Sequence, residues 1–487
     1  MKVDVNAQFS YWERPKLRVL SDKQRRVIYN SALEVLERTG ARLYSPQAIA
    51  LMKQAGADVV DDHLVRIPSG IVENAVATAG KREVLSDRTG KRKILLEGDN
   101  VYFGPGSDNP NTIDLETRER RTSVLADVER AARLGDALPN IDFLMSFALA
   151  NDVPSKTADA CHFEAMVNNS TKPITATAPD LEGLKAIYEI ACAVSGGETK
   201  FRQNPFFILY EQPHSPLKHA GHSLDKLIFC TEKGIPVLYA PTPSIGAASP
   251  VTLGGSFVLN MAEYLTALVL VQQVKKGATL VFGGGPTTLD MRTTVYSYSA
   301  PETMLSLCVR KELGEFLGIP VFNAGGFSDS QIPDQQASME SATSLIYAAM
   351  AGGNLIHDVG YLASGMTSSL EQLTICDEQI SETKRFLKSF ALDKESLAVD
   401  LIDEVGPEGD FLATDLTLNR FKEEIWSPTI VDRNIQERWV EAGSTTLRDR
   451  AQTRARELLK NHQPQGLADD VKKEVRKIVK RYEQSRA

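Results

Sequence analysis

A chain of 487 residues that is 42% hydrophobic and 24% charged carries enough apolar material for a large core, and it is too long for one ordinary small domain. A formal net charge of −8 at pH 7 disfavours nucleic acid as a partner, because phosphate binding calls for a basic surface. Five dispersed cysteines (Cys161, Cys192, Cys230, Cys308 and Cys376), with no C-x-x-C spacing, read as reduced thiols and not as a disulfide frame or zinc cluster.

No uninterrupted apolar run of 18 residues stands in the sequence, so no membrane span is expected. Residues 1–16 lack an apolar h-region and carry acids, which argues against a signal peptide and for a cytoplasmic location. Residues 1–98 read as a helix-rich region. Ser21 and Gln24 have capping-box spacing ahead of a periodic stretch through Ile28, Ala32, Val35 and Leu36. Shorter helices are predicted over 46–54 and 69–79.

From about residue 100, short apolar runs alternate with longer amphipathic stretches. Strands are predicted at 101–104, 143–147, 174–178, 206–210, 236–240, 279–283, 320–324 and 354–358. Helices are predicted at 122–136, 158–169, 180–194, 219–233, 253–276, 300–318, 335–351 and 368–388. Strand-then-helix repetition implies parallel pairing, and eight such units predict an α/β fold of the (β/α)8 TIM-barrel type over 99–390. An open dinucleotide-type sheet would carry a G-x-G-x-x-G turn, and Gly104-Pro105-Gly106-Ser107 does not continue that way. Residues 391–487 read as a helical extension. Val471, Val475, Ile478, Val479 and Tyr482 form a stripe at its end that needs a partner, either the barrel itself or a second subunit.

Barrel chemistry sits at the C-terminal ends of the strands. The residues to read there are Ser107, Asp108, Tyr210, Glu211, Gln212, His214, Tyr239, Asp290, Arg292, Asn323, Phe327, Asp329, Asp334, His357, Asp358 and Tyr361. No lysine is among them, which counts against Schiff-base chemistry. The glycine runs Gly283–Gly285 and Gly325-Gly326 lack a G-K-[ST] continuation and read as tight turns that leave room for a substrate or a neighbouring loop. His214, His219 and His222 are the sole histidine cluster and raise the alternative of a metal-dependent hydrolase, but no fourth ligand is evident and no bound metal is expected. Phe103, Phe147, Tyr210, Tyr239, Phe327 and Tyr361 are either packing residues or an aromatic cage for a quaternary ammonium.

Three segments are distinctive: Asp290-Met291-Arg292-Thr293, the run from Ala324 to Gln335, and the run from Gly360 to Thr367. Together with Ser215-Pro216-Leu217 and the stretch from Phe421 to Arg433, they resemble the trimethylamine methyltransferase family. The resemblance implies a barrel that passes a methyl group from an amine to the cobalt(I) of a separate corrinoid protein. In the trimethylamine enzymes the residue after Ala-Gly-Gly is pyrrolysine; here it is Phe327. That departure points to the branch resembling glycine betaine methyltransferase, with carnitine, proline betaine or γ-butyrobetaine as alternative substrates. The expected binding residues are Phe327, His357, Tyr361, Asn323, Gln331, Tyr210, Tyr239 and Phe103, with His357 the first choice for a carboxylate and Asn323, Gln331 and Arg292 weaker ones. Asp290, Arg292, Asp329 and Asp334 are expected to support loops, and no residue is assigned as acid or base. No D-x-H-x-x-G signature is present, so cobalamin should arrive on a cognate corrinoid protein. A homo-oligomer is possible.

Overall fold

The computed structural model describes residues 14–486 and the backbone of Asp4–Val5, so the stretch read for a signal peptide lies largely outside the described residues.

The N-terminal region carries the three expected helices, Asp22–Arg38, Pro46–Gln54 and Ser69–Thr78. Ser21 and Gln24 close the predicted capping box. The region is less purely helical than expected. Strands Ala41–Leu43, Leu64–Arg66 and Asp58–Val59 form a small sheet, and Glu83–Ser86 pairs antiparallel with Arg92–Leu96.

The eight strand–helix units follow. Parallel pairing runs from Ile174–Ala176 to Phe207–Glu211, to Val237–Tyr239 and to Val281–Phe282. A bridge from Phe282 to Val321 leads to Phe322–Ala324, which pairs with Leu355–His357, which pairs with Tyr102–Phe103. The ring closes through residues 142–144. Leu144 bridges to Ile174, and the Asp142 and Phe143 N–H groups both donate to the Phe103 carbonyl, at 2.6 and 3.4 Å. Two residues facing one is a bulge, and it explains why the predicted strand over 143–147 forms no regular ladder. The eight intervening helices are Leu125–Ala137, Ala158–Asn169, Leu181–Ser195, Gly221–Lys233, Leu253–Val274, Pro301–Leu317, Gln335–Ala351 and Leu370–Leu387.

Side chains that point into the ring form a core of their own: Tyr102, Phe143, Met145, Ile208, Leu238, Val281, Phe322 and Leu355. Leu85, Ile94 and Leu96 of the antiparallel pair join it and plug the end at which the strands begin. The other end is left for chemistry. Leu253–Val274 is long and apolar enough to cross a membrane by composition, but 83% of its most apolar window is buried among its neighbours, as befits a core helix.

The C-terminal helix Asp469–Arg486 settles the fate of its apolar stripe. Val475, Ile478, Val479 and Tyr482 are buried against the helices Leu181–Ser195 and Ala158–Asn169 of the same chain.

Candidate functional site

A cavity of about 490 Å³ opens where the strands end. It is lined by Tyr210, Glu211 and His357 at the ends of their strands, by Asp108, Thr177 and Asp358 after theirs, and by Tyr298 and Tyr361 from longer connections. The backbone here is bent to fit. Asp108, Phe147 and Asp358 have φ of 59°, 61° and 71°, a region that non-glycine residues seldom occupy. Gly106 is glycine because a Cβ there would stand 2.2 Å from the Tyr361 ring. With that space open, the Tyr361 hydroxyl donates to the Ser107 carbonyl, and its ring stacks on Phe147 at 6.3 Å.

Three tyrosine rings line this space. Tyr210 packs on Phe322 and near His357, at 5.7 and 6.3 Å between ring centres. Tyr298 stands edge to face with Phe327 at 5.6 Å. Burial, and next the Asp358 carboxylate, push the hydroxyls of Tyr298 and Tyr361 above the ordinary tyrosine range, so both are neutral at pH 7.

The charges are sorted. Glu211 and Lys226 form a closed buried pair at 2.6 Å. Among the described residues the ion-pair partners of Asp108 and Asp358 are histidines: His162 at 3.5 Å and His357 at 2.7 Å. Arg310, on the helix Pro301–Leu317, is 5% exposed and makes no hydrogen bond or ion pair within 4.0 Å among the described residues; its Nε is buried without a partner. Its neighbours by charge are Tyr210 and Asp358, both lining the cavity. Burial pulls the guanidinium down to about 10, which still leaves it charged at pH 7. Gly285 makes this position possible, since a Cβ there would meet the guanidinium at 2.7 Å. The room left by that glycine run is used by an arginine.

Beside the cavity, Asp108, Asp159 and His162 bring three potential ligand atoms within 4.8 Å of one another. Their hydrogen bonds favour a proton over a metal ion. His162 Nε2 accepts the Ala150 N–H at 3.0 Å, so the neutral ring carries its hydrogen on Nδ1, facing Asp108. The Thr177 hydroxyl lies 2.8 Å from Asp159 and 3.3 Å from Asp108. Burial, and then the adjacent Asp108, raise Asp159 to about 6.

Of the binding residues expected from sequence, Tyr210, His357 and Tyr361 line the cavity. Phe327 is buried behind Tyr298. Asn323 is fully buried, donating to the Leu307 carbonyl at 2.9 Å and accepting from Ala324 N. Tyr239 is buried with its hydroxyl 2.6 Å from His219 Nδ1, and Phe103 lies in the core beneath Lys384. Gln331 is exposed and reaches only the Asp329 carbonyl, at 3.4 Å. Arg292 is 91% exposed and stands 3.7 Å from Asp290, which accepts the Arg292 N–H to hold its own turn. Asp334 caps the helix Gln335–Ala351 by accepting from Ala337 N. Asp329 staples two loops, accepting from the hydroxyls of Ser297 and Ser364 and from the N–H groups of Tyr298 and Ser299.

The histidine cluster does not converge. His214 and His222 border the cavity, while His219 is fully buried and bonded to Tyr239. Burial lowers His219 to about 3. Arg310, Tyr298, Asp159 and His162 were missed in the sequence. For Arg310 a signal existed, because Ser306, Leu307, Arg310, Leu313, Gly314 and Leu317 share one inward helical face and only one of them is charged.

The sequence profile described as trimethylamine methyltransferase (MTTB) matches residues 2–487. The chain belongs to the trimethylamine methyltransferase family. Within that family it is 33% identical to the trimethylamine methyltransferase MttB of Desulfitobacterium hafniense over 465 residues, covering 95% of this chain and 93% of that one. It is 28% identical to the glycine betaine methyltransferase of another strain of that species, covering 94% and 95%. Among solved structures, the monomethylamine methyltransferase MtmB of Methanosarcina barkeri is similar in fold, with a TM-score of 0.52 at 12% identity over 92% of this chain and 89% of that one.

Proposed function

We propose that this member of the trimethylamine methyltransferase family takes a methyl group from a small quaternary amine bearing a carboxylate, glycine betaine first among them, and passes it to cob(I)alamin carried by a partner corrinoid protein. The products are dimethylglycine and methylcob(III)alamin. Carnitine, proline betaine and γ-butyrobetaine are the alternative donors. The ring of eight parallel strand segments with its outer helices is read as a (β/α)8 barrel, with the cavity at its C-terminal face.

The observation that carries this reading is a buried guanidinium, Arg310, that does not itself line the tyrosine-walled cavity but is the charge neighbour of two residues that do, Tyr210 and Asp358. Tyrosine faces and the carboxylates of Asp108 and Asp358 suit a cation that cannot donate a hydrogen bond. The unpaired guanidinium of Arg310 suits the carboxylate of the same molecule. A methylamine without a carboxylate would leave that buried cation without use. A quaternary nitrogen already carries the charge that makes an amine a leaving group, so the tertiary amine departs without a proton. The protein then acts by holding one N–CH3 bond toward the mouth and keeping water off it. The proposed cage is made by Tyr210, Tyr298 and Tyr361, with Phe327 and Phe147 supporting two of those rings. In this reading Arg310 replaces Arg292, Asn323 and Gln331 as the carboxylate anchor beside His357.

The test is a spectroscopic assay with purified protein, cob(I)alamin and each donor in turn. Conversion to methylcob(III)alamin with glycine betaine is the expected result. Conversion with trimethylamine alone would overturn the proposal.

A further inference from the structure

Thr177 stands between two carboxyl groups at the edge of the cavity, its hydroxyl 2.8 Å from Asp159 Oδ1 and 3.3 Å from Asp108 Oδ2. A hydroxyl has a single hydrogen and donates to only one of them. The other contact becomes a hydrogen bond only when that carboxyl group brings a proton of its own. The row Asp159–Thr177–Asp108 is therefore complete when it carries one acid proton. Ser146 donates to Asp108 Oδ1 at 2.8 Å, which leaves Oδ2 to Thr177. His162 backs the Asp108 end. It is 1% exposed, and its Nδ1, without a hydrogen-bond partner among the described residues, faces Asp108 at 3.5 Å.

The row has an inner and an outer end. Asp108 and Thr177 line the cavity, whereas Asp159 does not and is partly exposed, so water can reload it. The other carboxylates on the cavity wall have no such connection. Glu211 is closed on Lys226, and Asp358 meets His357, itself a wall residue. The titratable and charged groups around Asp159 are Asp108, His162, Lys226, Asp180 and Tyr482. Lys226 and Asp180 are already paired, with Glu211 and Arg486. Burial and the adjacent Asp108 raise Asp159 to about 6, so it holds its proton for part of the time near neutral pH, where a proton donor works best.

In the reaction proposed above, a proton is wanted only after the methyl group has gone. The tertiary amine left behind holds a proton with roughly the affinity of a lysine amine, about 10. While its lone pair stays bare it is a nucleophile that can take the methyl group back. We infer that Asp159, Thr177 and Asp108 form a path that carries one proton from water to the product amine once the methyl group has left. The Asp159 proton moves to Thr177 Oγ, the Thr177 hydroxyl proton moves to Asp108 Oδ2, and the Asp108 carboxyl group gives a proton to the nitrogen lone pair. Asp159 is then reprotonated from water. The path has this use only if the donor is a quaternary amine, as proposed above.

Two donors of the same charge, both bearing a carboxylate, separate this from a structural role. Glycine betaine leaves a basic amine, while dimethylsulfonioacetate leaves a thioether, which takes no proton. The cob(I)alamin assay is run on both with the unaltered protein, Asp159→Asn and Thr177→Val. The expected result is that the ratio of kcat for glycine betaine to kcat for the sulfonium falls about 10-fold or more in both variants. Equal losses with the two donors, or no loss, would overturn the path and leave the quaternary-amine reading standing. Transfer by the unaltered protein from neither donor would overturn that reading and the path with it. Titration calorimetry of glycine betaine into the protein at about pH 6, in buffers of different ionisation enthalpy, needs no cobalamin. Binding of the cation should expel part of a proton from the unaltered protein and none from Asp159→Asn. Equal proton release by the two would overturn the path even where the sulfonium is not a donor.

Discussion

Replacing Arg310 with methionine keeps an unbranched apolar stem and removes the charged guanidinium, which separates recognition of the carboxylate from recognition of the ammonium. Loss of a charge-assisted hydrogen bond to an ionised group is worth about 1.5–3 kcal/mol. Arg310→Met should therefore raise KM for glycine betaine by about 10- to 100-fold, while methyl transfer from tetramethylammonium, which has no carboxylate, stays within a few-fold of its starting level. The cob(I)alamin assay reads both. Asp159 makes a second prediction, concerning stability. Its raised value means that the folded chain holds this proton more tightly than the unfolded chain, so the stabilisation is complete below about pH 4 and is lost as pH rises through about 6. Asp159→Asn keeps an acceptor for Thr177 and removes the titration. Denaturant unfolding should show it gaining up to about 3 kcal/mol on the original at pH 7, with no advantage near pH 4. His219 acts in the opposite direction. Its lowered value makes the folded state resist protonation, so its neutral form costs stability as pH falls below about 6.5 toward 3.

Among the elements, those built from local periodicity were the most legible. The eight helices stand within a few residues of their predicted bounds, because an amphipathic face of three or more turns is written in adjacent sequence. Loop geometry was not so written. Asp329 and Asp334 looked equivalent in sequence, yet Asp334 caps the helix that starts at the next residue, accepting from an N–H three residues on, while Asp329 joins two loops that each lie more than thirty residues from it. Asp329→Ala should release the loop that carries Tyr298. We expect a loss of roughly 2 kcal/mol in stability, and a fall in kcat/KM for glycine betaine larger than any change seen with Asp334→Ala. The histidines show the same limit. The i,i+3 spacing of His219 and His222 would align them on a helix, but the helix begins at Gly221. Lys218–His219 instead pairs with Arg42–Leu43, and His219 turns to Tyr239.

At the scale of the whole molecule, the C-terminal extension is tied back to the ring. Glu378 accepts the N–H groups of Thr429, Ile430 and Val431, and Trp426 donates to Ser381 at 2.9 Å. The last helix buries Val475, Ile478, Val479 and Tyr482. Ending the chain at residue 466 would strip this cover from two ring helices. At about 1.5–3 kcal/mol for each buried apolar side chain, the loss amounts to several kcal/mol, and calorimetry should record a Tm at least 10 °C lower. By itself the sequence determined the alternation of strand and helix, the helix bounds, the family motifs and the position of Phe327, because each depends on residues close together in the chain. Only the tertiary structure decided that Arg310 stands unpaired beside the cavity, that Phe327 lies behind Tyr298, and that the histidines part company. Those outcomes depend on which neighbour each side chain meets after the ring closes, and that neighbour comes from a distant strand or loop.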